Sequence, residues 1–180
     1  MKNLIKRALG KPLVDMAVEW RRGRAFNRRG ATYSQEGEDR VLSSLLFKLH
    51  GGRHIGDGFY VDVGAHHPFR YSNTCLFYEM GWRGINIDAM PGSMKAFSKH
   101  RPRDINIECG IGRNPGTLEF HVFNESALNT FDSSLANARA GGPEGWRIER
   151  VVRVPIRPLG QLLSTHVLQG HGLEFMSVYV

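Results

Sequence analysis

The stretch Phe59-Tyr60-Val61-Asp62-Val63-Gly64-Ala65-His66-His67-Pro68 constrains this chain more than any other part of it. Phe59 to Val63 is aromatic or β-branched except at Asp62, which suits a short strand buried on both faces and closed by a tight glycine turn. Asp62 is the anomaly, because a carboxylate in such a strand is costly unless something satisfies it. It stands two residues before Gly64, where the carboxyl end of the strand opens into a crevice. In open α/β sheets, ligands bind in that crevice.

The neighbouring segments repeat the pattern. Gly84-Ile85-Asn86-Ile87-Asp88-Ala89 reads as a second strand with an acid at its end, and Ile105-Asn106-Ile107-Glu108-Cys109-Gly110 as a third. Between them lie a helix carrying Cys75 to Met80, with Ser72 or Asn73 as its cap, and a helix from Pro91 to His100. Alternating strands and helices imply right-handed crossovers and an α/β fold with a Rossmann-like, mostly parallel sheet.

Upstream, Leu4, Ile5, Leu9, Leu13, Met16, Ala17 and Trp20 recur at helical spacing, interrupted by Gly10 and Pro12, and Arg21 to Gly30 reads as a linker. Val41, Leu42, Leu45, Leu46 and Leu49 then form one face of a helix ending near His50-Gly51-Gly52. In one reading Ser34 or Gln35 caps that helix; in the other, Gln35 and Asp39 line the ligand crevice. Downstream, Leu118 to Phe123 alternates as a strand, and the polar run Asn124 to Pro143 predicts a long loop or lid. Val151 to Ile156 predicts an edge strand, because Pro155 cannot donate to a ladder. Leu159, Leu162, Leu163 and Val167 mark a short helix, and Phe175 to Val180 a last strand.

Charge divides the chain. Residues 1–30 hold nine Lys or Arg against Asp15 and Glu19, whereas residues 31–180 hold 15 basic and 15 acidic groups. The whole net charge of +7 therefore sits in a basic N-terminal arm ahead of one α/β domain. Such an arm suits a membrane surface or another polyanion, or is a solvated basic helix; nothing else suggests nucleic acid. No apolar run approaches the roughly 18 residues that span a bilayer, and Met1 to Leu9 lacks the features of a secretory leader. Cys75 and Cys109 lie in apolar contexts and read as free buried thiols of a reducing, cytoplasmic compartment, with a disulfide or metal site as the alternative. No metal-ligand cluster is visible.

Asp62 and Asp88 lie 26 residues apart, one strand-helix-strand unit, so neighbouring strands bring both carboxylates to one crevice. A carboxylate at the second strand's end can accept both hydroxyls of a ribose, and Gly64 would let a ligand approach the backbone closely. A dinucleotide site wants G-x-G-x-x-G. Here Gly64-Ala65-His66-His67-Pro68-Phe69 lacks the second and third glycines, which disfavours a nicotinamide-dependent oxidoreductase. A cofactor without phosphates, S-adenosylmethionine, fits better: Asp62 for its cationic end, Asp88 for the ribose, Gly110 and Ile111 beside the adenine. Two acids at strand ends also occur in other Rossmann-like domains. His66 and His67 are candidate bases for an acceptor hydroxyl, or else packing and backbone-bonding residues.

Ser34-Gln35-Glu36-Gly37-Glu38-Asp39, Tyr60 to Pro68, Ser72-Asn73-Thr74, Gly81 to Ala89, Arg101 to Asn106 and Leu128-Asn129-Thr130-Phe131 together resemble the FkbM family of S-adenosylmethionine-dependent methyltransferases. The resemblance runs from about Tyr33 to the last residue. It implies a class I methyltransferase sheet and O-methyl transfer to a hydroxyl of a sugar or polyketide-type small molecule. By position it assigns Asp62, Gly64, Ala65 and Asp88 to the cofactor, with Ser72, Asn73 and Ala89 as secondary contacts. Two departures stand out. Tyr179 occupies the place where the family's fourth strand usually ends in an acid followed by Glu-Gly, and the class usually has seven strands where this chain supplies about four. The expectation is therefore a domain with its later strands missing, whose open apolar edge favours a homodimer. A catalytically incomplete cofactor-binding remnant is the alternative to an active enzyme.

Overall fold

The computed structural model describes residues 32–52, 56–167 and 172–179. The helical pattern and linker read in residues 1–30 lie outside the described residues. Those described fall into two compact units: one joins the residues up to Gly58 with His67–Arg83, the other joins Phe59–His66 with the residues from Gly84 onward.

In the first unit, helix α1 (Glu38–Leu49) starts after Gly37, whose φ of 94° is left-handed. Neither Ser34 nor Gln35 occupies the capping position, but the Ser34 hydroxyl still accepts the Asp39 amide at 3.2 Å. The Asp39 carboxylate is fully buried. It accepts the Tyr33 amide at 2.9 Å and the Ser34 hydroxyl at 3.0 Å, together with the Thr32 hydroxyl. Asp39 therefore ties residues 32–34 to α1, a structural role for this carboxylate. Asp39→Ala would leave these donors buried without their acceptor and is expected to cost about 2 kcal/mol, measurable by urea denaturation; an unchanged midpoint would refute the role.

Tyr33 continues the bracket. Its hydroxyl donates to Glu79 at 2.7 Å and its carbonyl accepts the Ser72 amide. Helix α2 (Cys75–Glu79) follows Thr74, and the Ser72 hydroxyl accepts the Cys75 amide at 3.1 Å, the capping service expected of Ser72. Tyr33, Cys75 and Leu76 bury one another with Phe69 and Met80. Trp82 lies against the bare Cα of Gly58 and the Phe77 ring.

The second unit holds two sheets. Strands β1 (Phe59–Val63), β2 (Arg83–Asp88), β3 (Ile105–Glu108) and β7 (Phe175–Val178) form one sheet in the order β3-β2-β1-β7, with β2–β3 and β1–β7 parallel. This is the α/β, mostly parallel, Rossmann-like arrangement that the alternation predicted. Strand alternation puts Phe59, Val61 and Val63 on one face. There they pack with Ile85, Ile87, Cys109 and Leu162, the last from helix α5 (Leu159–His166). Helix α3 spans Met94–His100; Pro91 to Ser93 form a preceding turn instead of its first residues. Its Met94 and Phe97 bury Ala65.

The third strand is shorter than expected. It stops at Glu108, and β4 (Gly110–Ile111) joins a second sheet of order β4-β6-β5 with β5 (Gly116–Phe123) and β6 (Ile148–Arg157). So β6 is central rather than an edge. Pro155 is tolerated because the two-residue β4 pairs only with Ile156 and Arg157, leaving Pro155 outside that ladder.

The run from Asn124 to Pro143 is also more than a loop. It contains a 3₁₀ turn at Ser126–Leu128 and helix α4 (Ser133–Arg139). Its polar side chains serve as caps and staples. Asp132 accepts the Leu135 amide at 3.0 Å, Asn129 accepts the Phe123 amide at 2.8 Å, and the Thr130 hydroxyl accepts the Asp132 amide at 3.1 Å while its main chain pairs with that of His121.

Candidate functional site

The carboxyl ends of β1 and β2 meet through the main chain. The amides of Gly64 and Ala65 both donate to the Ile87 carbonyl, at 2.9 and 3.0 Å, and the Tyr179 amide donates to the Val63 carbonyl at 2.8 Å. This stitching fixes the turn after β1. The next amide, that of His66, points at Asp88 and donates to its Oδ2 at 2.8 Å; the Met90 amide donates to Oδ1 at 2.8 Å. Each Asp88 oxygen thus holds one main-chain donor and keeps acceptor capacity, since a carboxylate offers about four lone-pair sites. Asp88 is half-buried, so this remaining capacity can reach a ligand. The result is a preoriented double acceptor at the end of the second strand, chemistry that matches the vicinal hydroxyls of a ribose.

Asp62 differs. It is 4% exposed and level with Ser177 of β7. Of the two carboxylates, Asp88 is the open one. Gly64 has a φ of 75°, and a Cβ there would run into the carbonyl oxygen of Tyr179. The direction a side chain would take from Gly64 is filled by main chain just past β7. The sheet order reverses between β1 and β7, the kind of switch point where α/β sheets open a crevice, and Tyr179 is the residue that closes against it.

Ala89 and Met90 pack toward the second sheet with Phe120, Val122, Val154 and Phe131. The Asn129 amide group approaches the Met90 sulfur at 3.7 Å. Leu128 to Phe131, quoted above only for its resemblance, therefore backs the turn that carries Asp88. Its signal in the sequence was its polar residues, which serve as staples. Gly110 and Ile111 form β4; Ile156 and Phe131 occupy the space beside Gly110, and Ile111 packs on the sheet core. Glu108, which the sequence reading passed over, accepts the Gly92 amide at 2.7 Å and so anchors the far end of the Asp88 turn.

His66 and His67 have different settings. His66 takes the left-handed φ of 54°, unusual outside glycine. The His67 Nδ1 accepts the amides of Phe69 and Arg70, at 3.1 and 3.0 Å, in the first unit, so in its neutral form the proton sits on Nε2. This is the backbone-bonding role weighed above. Ser72 and Asn73 belong to the same unit as His67. Burial raises the Cys109 thiol above its ordinary range, which keeps it protonated and inert. Both cysteines are buried, and neither is in a disulfide. Among the described residues no group of His, Cys, Asp and Glu could hold a metal ion.

Residues 62–178 match a family model described as "Methyltransferase FkbM domain". No curated protein and no solved structure matches the chain.

Proposed function

Since the chain belongs to the FkbM methyltransferase family, we propose that it transfers a methyl group from S-adenosylmethionine to a hydroxyl of a sugar or polyketide-type small molecule. The observation that carries the cofactor half of this reading is Asp88, held by the His66 and Met90 amides at the carboxyl end of β2. In this reading Asp88 accepts the ribose hydroxyls, and the turn from Gly64 to His66 frames the nucleoside. Ala89 and Met90, backed by Asn129 and Phe131, give it an apolar wall. Asp62 contributes negative charge from within the sheet toward the cationic end. Ser72 and Asn73 stay in this reading as secondary contacts implied by the family, and Gly110 and Ile111 as the residues expected beside the adenine.

When bound, S-adenosylmethionine would supply a methyl group activated by its sulfonium. The protein's share is positioning and exclusion of water, which suffice for most of a methyl transfer. An acceptor hydroxyl must also give up a proton. Of the two histidines, His66 is the one whose backbone is fixed against Asp88, and it is the candidate to receive that proton. His66→Asn tolerates the left-handed backbone and is expected to lower kcat about 100-fold or more while leaving cofactor affinity within a few-fold. An unchanged kcat would remove His66 from the chemistry.

The decisive test is calorimetric titration of the full chain with S-adenosylhomocysteine, beside Asp88→Ala. A charged acceptor of this kind contributes about 1.5–3 kcal/mol, so the variant is expected to bind roughly 10- to 100-fold more weakly. Equal binding by both proteins would move the nucleoside elsewhere. No binding by folded wild-type protein would remove the cofactor reading. The missing glycines after Gly64, with Pro68 intruding, continue to disfavour a dinucleotide.

A further inference from the structure

Asn129 brings more hydrogen-bonding capacity to its place than the fold uses. Its Oδ1 accepts the Phe123 amide at 2.8 Å. That bond fixes which way the side-chain amide faces, and the nitrogen is left toward the Met90 thioether, 3.7 Å away. Sulfur is a weak acceptor, and the nitrogen carries two hydrogens. Among the described residues it meets no other acceptor. The main chain on either side is held as well. The Asn129 main-chain amide donates to the Ser126 carbonyl at 3.3 Å, and Thr130 exchanges main-chain bonds with His121 at 2.8 and 3.2 Å. Arg139 Nη1 donates to the Leu128 carbonyl at 3.0 Å. A carboxylate at this position would accept the Phe123 amide equally well, so the fold asks for the oxygen of Asn129 and not for its nitrogen.

The nitrogen faces the turn that carries Asp88. The Met90 amide holds Asp88 Oδ1 at 2.8 Å, and Ala89, Met90 and Phe131 pack in one apolar cluster. Asp88, Ala89, Met90, Asn129 and Phe131 are all half-buried, so each keeps part of its surface open. From Asp88 through Met90 to Asn129 the protein offers carboxylate acceptors, then an apolar stretch with a thioether and an aromatic ring, then an amide donor. A nucleoside presents the complementary set: vicinal hydroxyls, a flat π-face, and a ring edge with lone pairs. Thioether and aromatic side chains are favourable partners for a π-face. A few placed polar groups in an apolar wall are what orient a small ligand.

We propose that Asn129 is a specificity-determining residue for the cofactor's base, its Nδ2 donating to a ring nitrogen of adenine while Asp88 accepts the ribose hydroxyls. This rests on the methyl-transfer reading, whose cofactor half it deepens. The donor selects a base with a lone pair on the facing edge. It rejects a base with a C–H or N–H there, because the amide then gives up water without gaining a partner.

The test is calorimetric titration of the full 180-residue chain, and of Asn129→Asp, with S-adenosylhomocysteine and with its 1-deaza, 3-deaza and 7-deaza analogues. In each analogue a C–H replaces one ring nitrogen. Asn129→Asp keeps the oxygen for the Phe123 amide and removes the donor, so its melting curve is expected to match that of wild type. Wild-type protein is expected to bind one of the analogues roughly 5- to 100-fold more weakly than S-adenosylhomocysteine. Asn129→Asp is expected to lose a similar factor toward S-adenosylhomocysteine itself and to show no penalty for that analogue. A merely structural Asn129 would move the melting curve and leave this ratio alone. Equal binding of all the analogues by wild type overturns the proposal. So does a penalty that persists unchanged in Asn129→Asp, because the contact then belongs to another donor. Should Asn129→Asp fail to fold, Asn129→Ala takes its place with the same readout. Folded wild-type protein that binds no S-adenosylhomocysteine overturns the cofactor reading and this inference with it, whereas binding without discrimination overturns the inference alone.

Discussion

Asp104→Ala is expected to destabilise the protein by about 3–5 kcal/mol, because it strands a buried arginine and several buried donors at once. Asp104 accepts the Tyr60 hydroxyl at 2.7 Å, the Asn86 side-chain amide at 2.9 Å and the Gly84 main-chain amide at 2.9 Å. It also faces the Arg101 guanidinium at 4.0 Å, with both side chains out of solvent. Arg101 reaches the Asn86 oxygen as well, and Asn86 donates to Asn106, so one carboxylate organises a polar core beneath β2 and β3. Burial is the first cause acting on the carboxyl and raises it above its ordinary range, while the Tyr60 hydrogen bond and the Arg101 charge pull it back. Burial also raises the Tyr60 hydroxyl, which therefore remains a donor. Asp104→Asn keeps an acceptor oxygen but not the charge opposite Arg101, so an intermediate loss is expected. Urea denaturation of the three proteins checks this; a loss below about 1 kcal/mol for Asp104→Ala would mean that water replaces the carboxylate and the network is not structural. Gly84 lies near the start of β2 and Asp88 ends it. The protein that remains folded should therefore keep its affinity for S-adenosylhomocysteine.

Gly64→Ala carries the second large effect, about 2–5 kcal/mol. A left-handed φ costs an L residue roughly 1–2 kcal/mol, and crowding a packed site adds roughly 1–3 kcal/mol. The obstruction is the Tyr179 carbonyl oxygen, main chain that cannot rotate aside as a side chain would. Gly37→Ala separates the two terms. Its φ is also positive, at 94°, but nothing lies within 4 Å of the added carbon, so only the conformational part should appear. Equal losses at both positions would show that β7 yields and that Tyr179 does not hold the end of β1. A larger loss at Gly64 ties the crevice to β7, and weaker cofactor binding by the Gly64 variant would then follow from a displaced turn.

The two predictions also mark what each level of structure contributed. Buried strands with β-branched and aromatic runs, separated by helical spacing, were legible in residues 59–108 because local pattern dictates them. The place of Asp88 at the carboxyl end of β2 was legible for the same reason, because it follows from one strand-helix-strand unit. The segment-by-segment resemblance added the family, which the match over residues 62–178 bears out.

What pairing decides across distance was not legible. Pro155 argued for an edge, and only the shortness of β4 lets β6 be central. Asn124 to Pro143 had a loop's composition, yet its polar residues cap and staple a helix onto β5, since Asn, Thr and Asp serve equally in loops and as caps. Gly64 needed to be glycine, as the sequence implied, but for the carbonyl of Tyr179, which lies 115 positions away along the chain. Asp39 and Asp104 look alike as acids near element ends, and burial alone made both into hubs. By itself the sequence determined the order of strands and helices from β1 to β3 and the acid at the end of β2, because both rest on local periodicity. Only the tertiary structure decided which carboxylates are consumed inside and which one is left open, because that depends on donors brought from elsewhere in the chain.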